Sequence, residues 1–238
     1  MDIYGFFLDY GSEDSVRRIE YLKKYISKQK LEKINRLKNI EDRMRSIVGD
    51  VLVRWAICNK YKLFNADLKF TTNEYGKPFL MNKVNENIEV SFSISHSGSW
   101  VVAAISPSKV GIDIEKIVDI DMKITEQFFT EEENKSLATI IQEKQLDYFY
   151  ELWTLKESYI KTIGEGLSIP LNSFSININN QNITIIPKNI YNFRQYDLHP
   201  KYKLAVCSSE TSFPDNINII PMEQLENLKE FSKQISVK

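Results

Sequence analysis

Val110-Gly111-Ile112-Asp113-Ile114-Glu115, taken with Leu152-Trp153-Thr154-Leu155-Lys156-Glu157-Ser158-Tyr159-Ile160-Lys161, decides how this chain is read. In the first stretch Asp113 and Glu115 are two positions apart, so on a strand both side chains leave the same face, while Ile112 and Ile114 point into a core. In the second, Phe149, Leu152, Trp153, Ile160 and Ile163 trace a helical apolar stripe. At the helical advance of about 100° per residue, Lys156 falls near the middle of that stripe, and Glu157 and Lys161 flank its edge one turn apart. A lysine within an apolar stripe is costly unless it faces a charged partner or a cavity. Together the two stretches point to three carboxylates and two ammonium groups gathered around a metal and a phosphate ester.

Working outward, the remaining pattern is that of a mixed α/β chain. Met1–Asp9 reads as a first strand, without the basic start of a signal peptide. Val16, Ile19, Leu22 and Ile26 recur at helical spacing. A helix is predicted over about 42–61, with Met44, Ile47, Val48, Val51, Leu52 and Trp55 as its buried stripe. A strand near 68–71 and a turn at Tyr75-Gly76-Lys77-Pro78 precede a strongly alternating run. There Ile88, Val90, Phe92 and Ile94 oppose Glu89, Ser91, Ser93 and Ser95, as in a half-buried strand. His96-Ser97-Gly98-Ser99 reads as the turn into a strand over 100–105, and 110–115 is the next strand. The order then recurs: a long helix over 146–163, then strands near 174–178, 183–186 and 202–207. Each half is thus a long helix with a small, mostly antiparallel sheet. The halves share negligible sequence identity, so duplication rests on element order alone. The predicted join is near residue 116, giving halves of 1–116 and 117–238.

Composition narrows the function classes. A net charge of −1 over 238 residues argues against a globally basic nucleic-acid binder, and no apolar run approaches the roughly 20 residues that span a bilayer. Only 8 Gly and 7 Pro leave little room for a long disordered linker. Cys58 and Cys207 sit in apolar runs, as small core residues rather than a bridge, and such sparse cysteine fits a reducing cytoplasm. Lys28, Lys30, Lys33, Arg36, Lys38, Arg43 and Arg45 form a basic patch. Alone such a patch is a solvated helix face; beside the other phosphate-type signals it reads as an anion site.

These segments resemble the signatures of the Sfp-type 4′-phosphopantetheinyl transferases: a Gly-hydrophobe-Asp-hydrophobe-Glu strand followed by a Trp-x-x-Lys-Glu-x-x-x-Lys helix. Gly49-Asp50-Val51-Leu52-Val53-Arg54, Tyr75-Gly76-Lys77-Pro78, Ser93-Ile94-Ser95-His96-Ser97-Gly98 and Phe128-Phe129 match the same family in the same order, covering nearly the whole chain. The resemblance is to the long, surfactin-synthetase type. It implies an α+β, pseudo-twofold duplicated fold with the active site between the halves. The implied activity is Mg²⁺-dependent transfer of 4′-phosphopantetheine from coenzyme A to a serine of an apo peptidyl, acyl or aryl carrier protein, releasing 3′,5′-adenosine diphosphate. Mn²⁺ is the second candidate metal.

Residue by residue, the resemblance assigns Asp113, Glu115 and Glu157 to the metal. Glu157 is also the candidate base, a role that competes with metal ligation. Lys161 would stabilise charge on the transferring phosphate, and Lys156 would contact the coenzyme near its pyrophosphate. Lys30, Lys33 and Arg36 would supply charge for the 3′-phosphate, with Arg45 and Ser46 adding donors at a helix start. Lys77 and Pro78 would hold the adenine, the long Lys77 side chain included, and Ser95 and His96 the phosphate oxygens. His199 is left structural. The apolar stretch Gly166–Leu171 is a candidate carrier-docking segment, read equally as a loop returning to the sheet. The resemblance further implies a cytoplasmic monomer without nucleic-acid or membrane partners. Alternatives are a dedicated fatty-acid holo-carrier synthase, a catalytically silent coenzyme A or carrier-binding module, and a nucleic-acid protein. The first is disfavoured by length, the second by the presence of every acidic and basic signature residue, the third by the lack of interleaved aromatics.

Overall fold

The computed structural model describes residues 1–81, 89–179 and 182–228. Its first sheet has the order β11-β1-β5-β4, built from β1 (Asp2–Phe7), β4 (Ser91–Ser97), β5 (Trp100–Ser106) and β11 (Asn218–Ile219). Its second has the order β6-β10-β9, from β6 (Val110–Lys116), β9 (Asn192–Gln195) and β10 (Tyr202–Ser208). Two antiparallel hairpins complete the strands: β2 (Phe70–Thr72) with β3 (Pro78–Leu80), and β7 (Ser175–Asn179) with β8 (Asn182–Ile186). The helices are α1 (Glu13–Tyr21), α2 (Lys28–Asn35), α3 (Ile40–Tyr61), α4 (Ile124–Phe128), α5 (Glu131–Thr139), α6 (Gln142–Ile163) and α7 (Met222–Glu226). Each long helix thus has its own small, largely antiparallel sheet, the α+β arrangement read from the sequence. Among the described residues no helix is long and apolar enough to cross a membrane.

Alternation along the strands sets the layers. On β1 and β5, Phe6, Val101, Ala103 and Ile105 share a core with Ile47, Val48, Val51 and Leu52 of α3. The opposite residues, Ile3, Trp100, Val102 and Ala104, meet Val110, Ile112, Ile114, Leu204 and Val206 of the second sheet. Because β5 is covered on both faces, its sequence is a continuous apolar run with no visible period. The far face of the second sheet takes α6: Ala205 joins Phe149, Leu152, Leu155 and Ile160 in a third core. Both cysteines are free and buried, as expected.

Helix ends follow ordinary capping chemistry. Asn39 caps α3 by accepting from the Glu41 amide, with Glu41 and Asp42 in its first turn. Thr130 and Glu133 form a reciprocal capping box at the start of α5. Gly164 ends α6 in the left-handed region at φ 86°.

The structure differs from the sequence expectation at the basic patch, at the end of β4 and in the pairing of β6. The basic patch carries a helix of its own, α2, capped by Ser27. His96 and Ser97 are not turn residues but the last two positions of β4, so the turn is tighter, at Gly98-Ser99. Ile88, the first residue of the alternating run, lies outside the described residues. The strand β6, grouped with the first half on sequence, hydrogen-bonds to β10 of the second sheet along its whole length, with Asp113 opposite Ala205.

Candidate active site

The alternating polar residues of β4 do not face solvent. Ser93 and Ser95 are buried, and their hydroxyls, with that of Ser97, reach across to the edge of β6. Ser93 Oγ accepts from the Ile112 amide at 3.1 Å, and Ser97 Oγ accepts from the Lys116 amide at 3.0 Å. Ser95 Oγ donates to Asp113 Oδ1 at 2.8 Å, and Ser97 Oγ donates to Glu115 Oε2 at 2.8 Å. Serine hydroxyls thus join the facing edges of the two sheets and fix both acidic side chains of β6.

Across from this edge, α6 presents Glu157 and Lys161 on one face. Lys161 Nζ donates to Asp113 Oδ1 at 2.6 Å and to Ser95 Oγ at 2.8 Å. Asp113 is only 2% exposed, and its second oxygen, Oδ2, is buried without a hydrogen-bond partner among the described residues. Burial first, then the charge of Asp113, push the Glu115 carboxyl up to about 7. The same two causes hold the Glu157 carboxyl above its ordinary range. A buried orphan acceptor beside two carboxyls that resist ionising is an environment short of positive charge. Its donors are hard oxygens, the set that suits Mg²⁺ or Mn²⁺. Among the described residues no three His, Cys, Asp or Glu side chains stand ready-made as a metal site; Ser95 and Lys161 hold Asp113, and Ser97 holds Glu115.

These residues line one cleft of about 760 Å³, which also takes in Lys30, Lys33, Arg45, Ser46, Pro78, Ser95 and His96. Lys30 and Lys33 project from α2 and are exposed. Arg45 lines the cleft with its guanidinium already engaged, by Tyr10 Oη at 3.0 Å, Gly98 O at 2.9 Å and Asp42 at 2.6 Å. His96 faces the cleft; desolvation by its walls and then the Arg45 charge lower its imidazole below the ordinary range. The cleft is also lined by Gln29, Arg54, Lys69, Phe70 and Thr72, none of which sequence pattern singled out as site residues, and by Trp153, which the apolar stripe of α6 assigns to the core. Membership of the family motifs is the one signal that points Arg54 and Trp153 toward the site.

Two predicted residues are not brought together with the rest, and a third meets them from another side. Arg36, just past α2, is exposed and does not line the cleft. Lys77 lines a neighbouring pocket of about 310 Å³ with Pro78, Glu157 and Lys161, its ammonium directed at the end of α6 rather than into the cleft. Lys156 is the clearest correction. Its ammonium is fully buried on the opposite side of α6, donating to Glu133 Oε1 and Oε2 at 2.6 and 2.7 Å and to Phe174 O at 2.7 Å. It also stands 4.4 Å from the centre of the Phe174 ring. The charged partner that its place in an apolar stripe demands is Glu133, not a coenzyme. Glu133 in turn accepts from the Thr130 and Ile176 amides, so this ion pair pins α5, α6 and β7 together. In the candidate docking segment, Leu171 is buried in the third core.

Comparison with known proteins gives a consistent result over both halves. A family model described as "4'-phosphopantetheinyl transferase superfamily" matches residues 109–207, and one described as "4'-phosphopantetheinyl transferase, N-terminal" matches residues 13–108. The chain is similar to the 4′-phosphopantetheinyl transferase Sfp of Bacillus subtilis (strain 168), 38% identical over 94% of this chain and 100% of that protein. It is 41% identical to the 4′-phosphopantetheinyl transferase gsp of Aneurinibacillus migulanus over 87% of each. Among solved structures, a holo-(acyl-carrier-protein) synthase from Bacillus anthracis str. Ames aligns with 42% of this chain and 94% of its own, at 18% identity and a TM-score of 0.37.

Proposed function

Since the chain belongs to the 4′-phosphopantetheinyl transferase family, in its Sfp-type branch, we propose that its cleft performs the transfer with Asp113, Glu115 and Glu157 as ligands of Mg²⁺. As such an enzyme it moves phosphopantetheine from coenzyme A to a carrier-protein serine. The serine oxygen forms a bond to the β-phosphorus, the bond from that phosphorus to the bridging oxygen breaks, and 3′,5′-adenosine diphosphate leaves with the electron pair.

The observation that carries the metal assignment is the buried Asp113 Oδ2, without a partner among the described residues, near two carboxyls that burial and then the Asp113 charge push upward. Bound there, Mg²⁺ would offset the charge of the pyrophosphate oxygens. Glu157 is the candidate to take the serine proton: desolvation and the Asp113 charge hold its carboxyl above the ordinary range, and ligation of Mg²⁺ would draw it back down, so the two roles compete. Lys161, on the same face of α6, supplies an ammonium to the phosphate oxygens while holding Asp113 in place. Lys30, Lys33 and His96 receive the 3′-phosphate, and Pro78 borders the adenine; what supports this is that all four line the same cleft as the acids. Donors from α2, α3, β4, β6 and α6 of one chain complete the cleft, which favours action as a monomer. Two free buried cysteines suit a reducing cytoplasm. The carriers are those of nonribosomal peptide or polyketide assembly, as the Sfp-type signatures imply.

The test is direct. The chain is incubated with coenzyme A, Mg²⁺ and an apo peptidyl carrier domain, and the carrier is weighed by mass spectrometry. Addition of one phosphopantetheine arm, abolished by chelator and restored by Mg²⁺, is the expected result. Binding of coenzyme A without transfer would leave a silent binding module.

A further inference from the structure

The carbonyls of a helix's last turn have no partners within the helix and must find them elsewhere. At the end of α6 they find them in the turn that joins β2 to β3. Lys77 Nζ donates to the Lys161 carbonyl and, at 3.2 Å, to that of Thr162; Asn73 Nδ2 donates to that of Gly164 at 2.8 Å. A third contact, 3.4 Å from Lys77 Nζ to the Val110 carbonyl, ties in the start of β6. The turn that carries these donors is closed on itself. Asn73 Oδ1 accepts from the Tyr75 and Lys77 amides at 3.1 and 2.8 Å, and the Asn73 amide donates to the Lys77 carbonyl at 3.0 Å. The Lys77 stem crosses Gly164 so closely that a Cβ there would stand 2.6 Å from Lys77 Cδ. The ammonium therefore lies at the negative end of the α6 dipole, where a cation is stabilising.

We propose that Asn73 and Lys77 are positioning residues for the transfer: the β2–β3 turn clasps the end of α6 and β6 and so sets where Glu157 and Lys161 stand against Asp113. Lys161 makes the coupling direct. Its carbonyl is gripped by Lys77 while its ammonium holds Asp113 and Ser95. The same hairpin places Pro78 in the wall of the coenzyme cleft, so one element borders the coenzyme and anchors the helix that acts on it. The side chain of Lys77, expected from the sequence to reach the adenine, is committed instead to carbonyl oxygens.

This inference rests on the transferase reading above, and two variants of the full chain test it. Lys77→Met keeps the stem and removes the ammonium. Asn73→Asp keeps the turn acceptor Oδ1 and removes the donor to Gly164. Both are expected to lower kcat at saturating coenzyme A by about tenfold or more, the scale of a misplaced catalytic group, with coenzyme A affinity by calorimetry unchanged within about twofold. Hydrogen exchange at the amides of Ile163 and Gly164 should rise in both. Lys77→Met that weakens coenzyme A binding while sparing kcat would overturn the proposal in favour of adenine contact. So would a wild-type rate in Asn73→Asp, which decides the matter if Lys77→Met does not fold. Failure of the wild-type chain to transfer any arm would remove the transferase reading instead, and exchange at the end of α6 would still report on the clasp.

Discussion

Gly111 lies against Ser158 with no room for a side chain: a Cβ there would stand 2.1 Å from the Ser158 carbonyl oxygen, and 2.5 Å from the Thr162 amide nitrogen. Both contacts are backbone, so neither can swing aside. The separation of β6 from α6, and with it that of Asp113 and Glu115 from Glu157 and Lys161, is set by the absence of one methyl group.

Gly111→Ala is accordingly expected to push α6 off β6. Overpacking of this kind costs about 1–3 kcal/mol of stability. Turnover should fall further than that loss explains, because the two pairs of active groups move apart. Urea unfolding alongside single-turnover transfer checks this; a destabilised variant with a normal rate would show that the spacing is not critical.

Asp113→Asn should retain the fold, since the amide can still accept from Ser95 and Lys161, and should lose about 10²–10³ in rate, the scale of removing one preorganised charge contact. Glu115→Ala is expected to resemble it. Carrier mass measured across a Mg²⁺ titration reads the outcome; full turnover in excess chelator would sink the metal assignment for both.

Glu157→Gln and Lys161→Ala should separate two roles. The glutamine can offer an oxygen to a cation but cannot take a proton, so its rate should stay low even at saturating Mg²⁺. Lys161→Ala should slow the chemical step while coenzyme A binding remains measurable by calorimetry. Complete rescue of Glu157→Gln by added Mg²⁺ would make that residue a ligand only.

Lys156→Met predicts the opposite profile from Lys161→Ala. It strands the Glu133 carboxylate in the interior, and breaking a buried pair in this way costs about 3–5 kcal/mol. The double variant Lys156→Met/Glu133→Gln should recover much of that, because the uncompensated charge is gone. Denaturant melts of the single and double variants decide it; a stable Lys156→Met that had merely lost affinity for coenzyme A would return Lys156 to the cleft.

Lys77 gives a pH signature. Burial, with the Lys109 charge next, draws its ammonium from 10.5 down to about 8. Between those values the unfolded chain holds a proton that the folded chain has shed. The contribution of this group is therefore complete above about 10.5 and lost as pH falls through about 8. The unfolding free energy of the native chain relative to Lys77→Met should rise across that window, by about 3 kcal/mol at most at 1.36 kcal/mol per pKa unit. A flat difference would mean that the Lys161, Thr162 and Val110 carbonyls offset the burial of the ammonium.

Much of the frame was legible because it is periodic. Met44, Ile47, Val48, Val51 and Leu52 of α3, Ile112 and Ile114 of β6, and Phe149, Leu152 and Ile160 of α6 are buried as read, while Trp55, Trp153 and Ile163 are only half-buried and Trp153 lines the cleft. Where pattern failed, the deciding partner lay far along the chain. The serines of β4 read as a solvent face because alternation reports polarity, and β6 happens to dock on that polar face. Lys156 admitted two solutions, a cleft or a buried counter-charge. Its counter-charge sits on α5, where Thr130-x-x-Glu133 reads only as a helix start. Lys77 in a Gly-x-Pro turn carries no hint that a helix ends above it. The short strands β9 and β11 have little pattern of their own, being defined by the neighbours they pair with.

The pairing of β11 with β1 has a consequence for how such a chain comes into being. Tyr4 lies beside Asn218 and Gly5 beside Ile219, while Arg18 of α1 grips Glu223 and Glu226 at 2.7 Å. During synthesis the first sheet therefore waits, with one edge of β1 open, until Asn218 and Ile219 have emerged. The half that carries Lys30, Lys33 and His96 is begun first and finished last. By the time its edge is closed, α6 and β6 have already been made. Coenzyme-side and acid-side residues thus reach their final form together, and a chain cut short before Asn218 would keep β1 paired with β5 but leave its other edge open to recruit a strand from another molecule.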